Sequence, residues 1–127
     1  MRELTDFFTR HVPEHADDPA FTSLRGLSDV VAITVASPAS GEETFRLWFE
    51  GGALRQGEPP ESATPRTTFR LERPVFEAVV AGQLTPQVAF FTRRLGVHGD
   101  ILFGLQLGTL LAGFFRRHPW PPVVEHV

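Results

Sequence analysis

The sequence predicts a single α+β domain: one curved, mostly antiparallel five-stranded sheet with helices packed on one face. Three observations carry this. "ETFRLWFE" (43–50) and "TTFRLE" (67–72) alternate apolar and polar residues, as half-buried strands do. After Pro74 the period changes to that of a helix, with Val75, Phe76, Val79 and Val80 in one stripe. The length of 127 residues suits one domain, which buries roughly two thirds of its unfolded surface. Residues 1–127 are read as that one domain, with 1–27 a helical N-terminal segment and 118–127 an irregular tail.

In chain order, Glu3 to Arg10 is a short helix candidate that Pro13 ends, and a second follows Pro19. "DVVAITVAS" (29–37) is rich in β-branched residues and bounded by "SPASG", so it reads as the first strand. In 43–50, Phe45, Leu47 and Phe49 share one face, and Thr44, Arg46 and Trp48 the other. Gly51-Gly52 suits a two-residue hairpin, because glycine tolerates the positive φ of a type I′ turn, and "ALRQG" is the return strand. "EPPESATPR" (58–66) is a loop, and Phe69 and Leu71 mark the apolar face of the fourth strand. The helix opened by Pro74 ends at Gly82, with Leu84 packing back over its last turn. Thr85 and Pro86 start another helix, to about Arg93, that carries Val88, Phe90 and Phe91. "LGVH" (95–98) is the fifth strand, and Asp100 caps the last helix.

Composition narrows the function classes. The chain has no cysteine, which removes disulfides, thiolate nucleophiles and zinc–thiolate sites. The net charge is −3 and no basic stripe appears, so nucleic acid is not an expected partner. The opening residues lack the apolar core of a signal peptide, which fits a cytoplasmic protein. The apolar run "ILFGLQLGTLLAGFF" (101–115) falls short of the ~20 residues of a membrane span and reads as a buried helix.

No catalytic group stands out, and no metal or cofactor is expected. No serine sits in a nucleophile elbow and no glycine-rich loop follows a strand. His11 and His15 have the spacing of helical metal ligands, but Pro13 lies between them, so they read as solvated loop histidines. Asp17-Asp18 and Glu42-Glu43 read as solvated loop carboxylates, and His98 as structural. The last helix is the unusual feature. Ile101, Leu102, Phe103, Leu105, Leu107, Leu110, Leu111, Phe114 and Phe115 surround it, and a helix apolar all round must be covered all round. Gly104 and Gly108 make a flat lane along it. That lane is either a close helix–sheet contact or a wall beside a ligand.

The ordered set "WFEGGALRQG", "TTFRLERPVFEAVVAGQLTPQVAFF" and "LGVHGD" resembles the sterol carrier protein 2 (SCP2) domain, from about Phe45 to Phe115. "FFTRRLGVHGDILFGLQLGTLL" is most similar to the bacterial ubiquinone biosynthesis accessory factors with this domain. The matching positions are Phe90, Phe91, Arg93, Arg94, Leu95, Gly99, Asp100, Gly104 and Leu105. More general sterol carriers have a Gly-Lys pair where this chain has Arg93-Arg94.

The resemblance implies helices over one sheet face and an apolar tunnel that binds lipid without chemistry. Its walls would be Phe76, Val79, Val80, Leu84, Val88, Phe90, Phe91, Phe103, Leu107, Leu110, Leu111 and Phe114. Arg93 and Arg94, with Arg116, Arg117 and Trp120 as a second cluster, would meet a lipid headgroup or an anionic membrane; equally, Arg93 and Arg94 read as ordinary surface cations. The ligand implied is a polyprenylated ubiquinone precursor or a phospholipid, presented to ubiquinone biosynthesis enzymes by a cytoplasmic protein peripheral to the inner membrane. Two alternatives stand beside it: a general sterol or fatty-acyl carrier, and an interaction domain whose apolar surface closes against a partner chain.

Overall fold

A computed structural model describes residues 4–22, 28–39, 41–50, 53–55 and 64–120. Its strands are β1 (Val30–Ser37), β2 (Gly41–Glu50), β3 (Ala53–Arg55), β4 (Thr67–Glu72) and β5 (Leu95–Gly99). They form one sheet in the order β3-β2-β1-β4-β5. β1 runs antiparallel to β2 but parallel to β4, while β2–β3 and β4–β5 are antiparallel, so the sheet is mixed. β1 lies at its centre and is buried on both faces except at the half-buried Ala36. That is why its sequence is a run of β-branched and small residues, whereas β4 alternates.

The helices cover the face that carries Val31, Ile33 and Val35. α4 (Arg73–Val80) packs on β1 and β4 through Phe76, Val79 and Val80. Gly82, at φ +79°, ends it, with Gln83 N–H donating to the Ala78 carbonyl at 2.9 Å and Gly82 N–H to Val79 at 3.1 Å. α5 (Pro86–Phe91) starts on Thr85, whose hydroxyl accepts from Val88 N–H at 3.2 Å. α6 (Ile101–Arg117) starts on Asp100, whose carboxylate accepts from Phe103 N–H at 3.0 Å and from Arg66 Nε at 3.1 Å. The Phe103 amide, then Arg66, hold the Asp100 carboxyl below its ordinary value.

Gly104 decides one of the two readings of the small-residue lane. A Cβ there would lie 2.6 Å from the Val97 side chain and 2.9 Å from Thr67 Oγ1, so this turn of α6 sits flat on the sheet. One turn on, Gly108 has only Pro86 within reach, at 3.3 Å, and borders open space.

The N-terminal segment departs from expectation. It comprises α1 (Leu4–Asp6), a π-helical turn (Phe7–His11) and α2 (Val12–Glu14), and runs on through Pro13. Pro13 is the second residue of α2, which follows directly on the π-helical turn. α3 (Pro19–Thr22) begins at Pro19. Glu42 and Glu43 lie within β2 rather than in a loop, and Glu42 pairs with Arg70. The Gly51-Gly52 hairpin, residues 56–63 of the expected return strand and loop, and tail residues 121–127 lie outside the described residues.

Candidate functional site

Between sheet and helices lies a cavity of about 70 Å³, lined only by apolar residues. Ile33, Leu47, Phe69 and Leu71 form its floor on the sheet. Val79 and Val80 of α4 and Leu111 and Phe114 of α6 form two walls. The third wall is the N-terminal segment, through Phe7, Phe8 and Val12. Phe7 packs edge-on against Phe76, with ring centroids 5.4 Å apart, and Phe8 stacks on Phe45 at 4.2 Å. The volume holds more than one water, but an apolar void of this kind stays dry. It is a cavity rather than the expected tunnel, and an acyl chain fits only if a wall moves.

Of the expected lining residues, Phe76, Val79, Val80, Leu111 and Phe114 do border the cavity. Leu107 is packed into the core, and Leu84, Phe90 and Leu110 are partly buried against it. Phe103 is covered by the Arg66 guanidinium, 4.1 Å above its ring. Val88 and Phe91 face outward, 50% and 77% exposed. Helical geometry is the reason: α5 turns Pro86 and Ala89 inward, which puts the residues three apart at 88 and 91 on the far side. The strand residues and the N-terminal aromatics were missing from the expected site. The periodicity of β4 places Phe69 and Leu71 on the right face, but no local signal brings Phe7 and Phe8 to the cavity.

A second concavity, about 430 Å³, lies where β4 meets α4, lined by Arg70, Glu72, Val75, Arg93, Arg94 and Gly96 among others. Leu71 lines both spaces and forms the partition between them. Arg93 and Arg94 are exposed beside Phe91. Arg93 holds φ +64° at the end of α5, where Arg94 N–H donates to the Ala89 carbonyl at 2.8 Å and Arg93 N–H to Phe90 at 3.1 Å. This is the helix stop that Gly82 makes for α4, with arginine in the left-handed position glycine favours.

The expected second cationic cluster is dismantled. Arg117 is committed to Asp18, with Nη2 and Nε at 2.6 and 2.9 Å from its two carboxylate oxygens. Trp120 is buried, its ring against Phe7 and its backbone N–H donating to the Val80 carbonyl at 2.9 Å; Arg116 and Arg117 stay exposed, but Arg117 is held by Asp18. Asp18 is therefore not solvated but buried, and also accepts from Ala20 N–H at 2.9 Å. The Arg117 hydrogen bond, against the opposing effect of burial, holds its carboxyl down at about 2. His11 belongs to the π-helical turn rather than a loop, whereas His15 sits half-buried in the turn after α2. His11 is buried and its Nε2 donates to the His118 carbonyl at 2.7 Å. His15 stacks on His118 with centroids 3.7 Å apart, and His118 Nε2 lies 3.1 Å from Asp18. Desolvation, opposed by the His118 hydrogen bond, lowers the His11 pKa. Among the described residues no cluster of three or more metal-ligating side chains occurs, and no helix is long and apolar enough to cross a membrane.

These features define a class: an α+β domain whose helices close one face of a mixed sheet over a wholly apolar cavity. The profile of the SCP-2 sterol transfer family matches residues 9–112, and the chain belongs to that family. Solved structures share its fold. One is sterol carrier protein 2 of Yarrowia lipolytica in apo form, 17% identical over 91% of this chain and 85% of that one, TM-score 0.59. Another is sterol carrier protein-2 of Aedes aegypti in complex with palmitate, 15% identical over 88% and 97%, TM-score 0.59. Palmitated SCP2L2 of Aedes aegypti is 20% identical over 84% and 89%, TM-score 0.62. No curated protein matches the chain.

Proposed function

We propose that the protein is a non-catalytic lipid carrier that takes a single fatty-acyl chain into the cavity between α4, α6 and the N-terminal segment. The wholly apolar lining carries this reading. Each CH₂ buried contributes ~0.8 kcal/mol, so a long chain supplies a large gross driving force before the costs of association. The palmitate complex of the related Aedes aegypti protein favours a fatty acyl chain over a polyprenylated quinone precursor. An acidic head would emerge past Leu71 into the groove and meet Arg93 and Arg94.

Loading would take place at an anionic membrane. Among the described residues, the large exposed apolar side chains are Phe91 and Val88, on α5 just before Arg93 and Arg94, and Ile101 and Leu102 at the start of α6, beyond the other end of β5. Aromatic and cationic side chains together suit the bilayer interface. The rival interaction-domain reading would have a partner chain cover the same face. Native mass spectrometry of the purified protein separates the two. Co-purifying fatty acid on a monomer supports the carrier; an empty obligate dimer contradicts it.

A further inference from the structure

The cavity is too small for a long chain as it stands, so one wall must open, and the walls differ in how they are held. α4 and α6 pack on the sheet directly. The N-terminal segment contributes Phe7, Phe8 and Val12 to the cavity. Its middle is a π-helical turn, an arrangement that recurs at functional sites. Its polar attachment is concentrated at one end. His11 reaches the His118 carbonyl, His15 lies flat on the His118 ring, and Asp18 just beyond grips Arg117 and His118.

We propose that the segment Leu4–Glu14 is a lid over the cavity, latched by the His11–His15–His118 cluster on Asp18 and Arg117, and released when the buried His11 takes up a second proton. The chemistry of the cluster sets the direction. His11 Nε2 must carry the hydrogen because a carbonyl only accepts, so a further proton goes to Nδ1 in a buried site. Burial away from water opposes that charge first, then His15, whose ring centroid lies 5.1 Å from that of His11, and His118, with Glu14 as the opposing charge. His15 and His118 stack with ring centroids 3.7 Å apart, and the Asp18 carboxylate is already held by Arg117. The latch is thus fully formed above the ordinary histidine value of 6.5 and weakens as pH falls through the lowered value of His11. Acidity near an anionic bilayer would open the lid where lipid is exchanged, a purpose that rests on the carrier reading.

Hydrogen–deuterium exchange on the intact, lipid-free chain reads opening without any ligand, so its outcome is independent of whether lipid binds. Between about pH 7.5 and about pH 5.5, after correction for intrinsic exchange, protection of residues 4–14 should fall several-fold relative to β1, up to the roughly tenfold that one histidine's linkage allows. The variant H11Q, which keeps an amide donor for the His118 carbonyl but removes the buried ring, should abolish most of that change. Should it not fold, His118→Gln alone should reduce the change. Lid protection that is unchanged by pH, that falls in step with β1, or that keeps its full pH response in the variants overturns the proposal.

Discussion

The chain contains two nearly identical words, Phe90-Phe91 followed by Arg93-Arg94 and Phe114-Phe115 followed by Arg116-Arg117, and the fold uses them in opposite ways. Phe91 is 77% exposed and its arginines are open to solvent, whereas Phe114 is completely buried and Arg117 is bound to Asp18. The difference lies outside the words. The N-terminal segment and α3 dock over the end of α6, bringing His11 and Phe21 against Phe114. No described element docks over Phe91. Local composition gives the raw material for a core or an interface, and a distant stretch of chain decides which.

The largest test of this contrast is a pair of truncations. Phe114→Ala should cost ~3–5 kcal/mol of stability, the usual range for emptying a packed aromatic site. Phe91→Ala should stay within about 0.5 kcal/mol, as exposed substitutions do. Urea unfolding of both checks this, and equal losses would erase the contrast.

A smaller effect is expected at Asp18. Asp18→Asn keeps the shape but removes the charge that holds Arg117, and should cost roughly 1–3 kcal/mol near neutrality. Because folding lowers this carboxyl from 3.8 to about 2, its contribution is complete above 3.8 and lost as pH falls through about 2. Stability profiles of wild type and variant should therefore converge across that acid window. Parallel profiles would show that the buried pair does not anchor the N-terminal region.

The smallest effect has the opposite sign. Arg93 occupies a left-handed conformation in a helix stop, and strain of this kind persists at functional sites. Arg93→Gly should raise stability by about 1 kcal/mol or less. It should also weaken salt-sensitive co-sedimentation with anionic vesicles, where each cation near the surface contributes ~1 kcal/mol. Charge reversal at Arg66, which already pairs with Asp29 and Asp100, should affect vesicle binding less. A stabilised Arg93→Gly that still binds vesicles fully would leave Arg93 without an interfacial role.

Much of the scaffold is legible from residues alone. Pro74 and Gly82 delimit α4, Thr85-Pro86 and Asp100 start the next two helices, and the alternation in 67–72 fixes which face Phe69 and Leu71 present. These are local signals with local causes. The cavity was legible only in half, because α4 and α6 announce their apolar stripes while the third wall comes from Phe7 and Phe8, far away in sequence. The histidines were misread for the same reason. His11 and His15 look solvated beside Pro13, but tertiary contact with His118 accompanies a buried His11 and a half-buried His15. Phe91 was misread because an apolar residue carries no mark of which side of a six-residue helix the core will take.

The central claim is that an acyl chain occupies the cavity beneath the N-terminal segment, not the exposed surface of α5. Palmitate titration by calorimetry, run on wild type, Leu111→Trp and Phe91→Ala, tests it most directly. Leu111 lines the cavity, so the indole should fill it and abolish binding while unfolding curves confirm a folded protein. Phe91→Ala should bind as wild type does. Full binding by Leu111→Trp, or loss of binding confined to Phe91→Ala, would contradict the account.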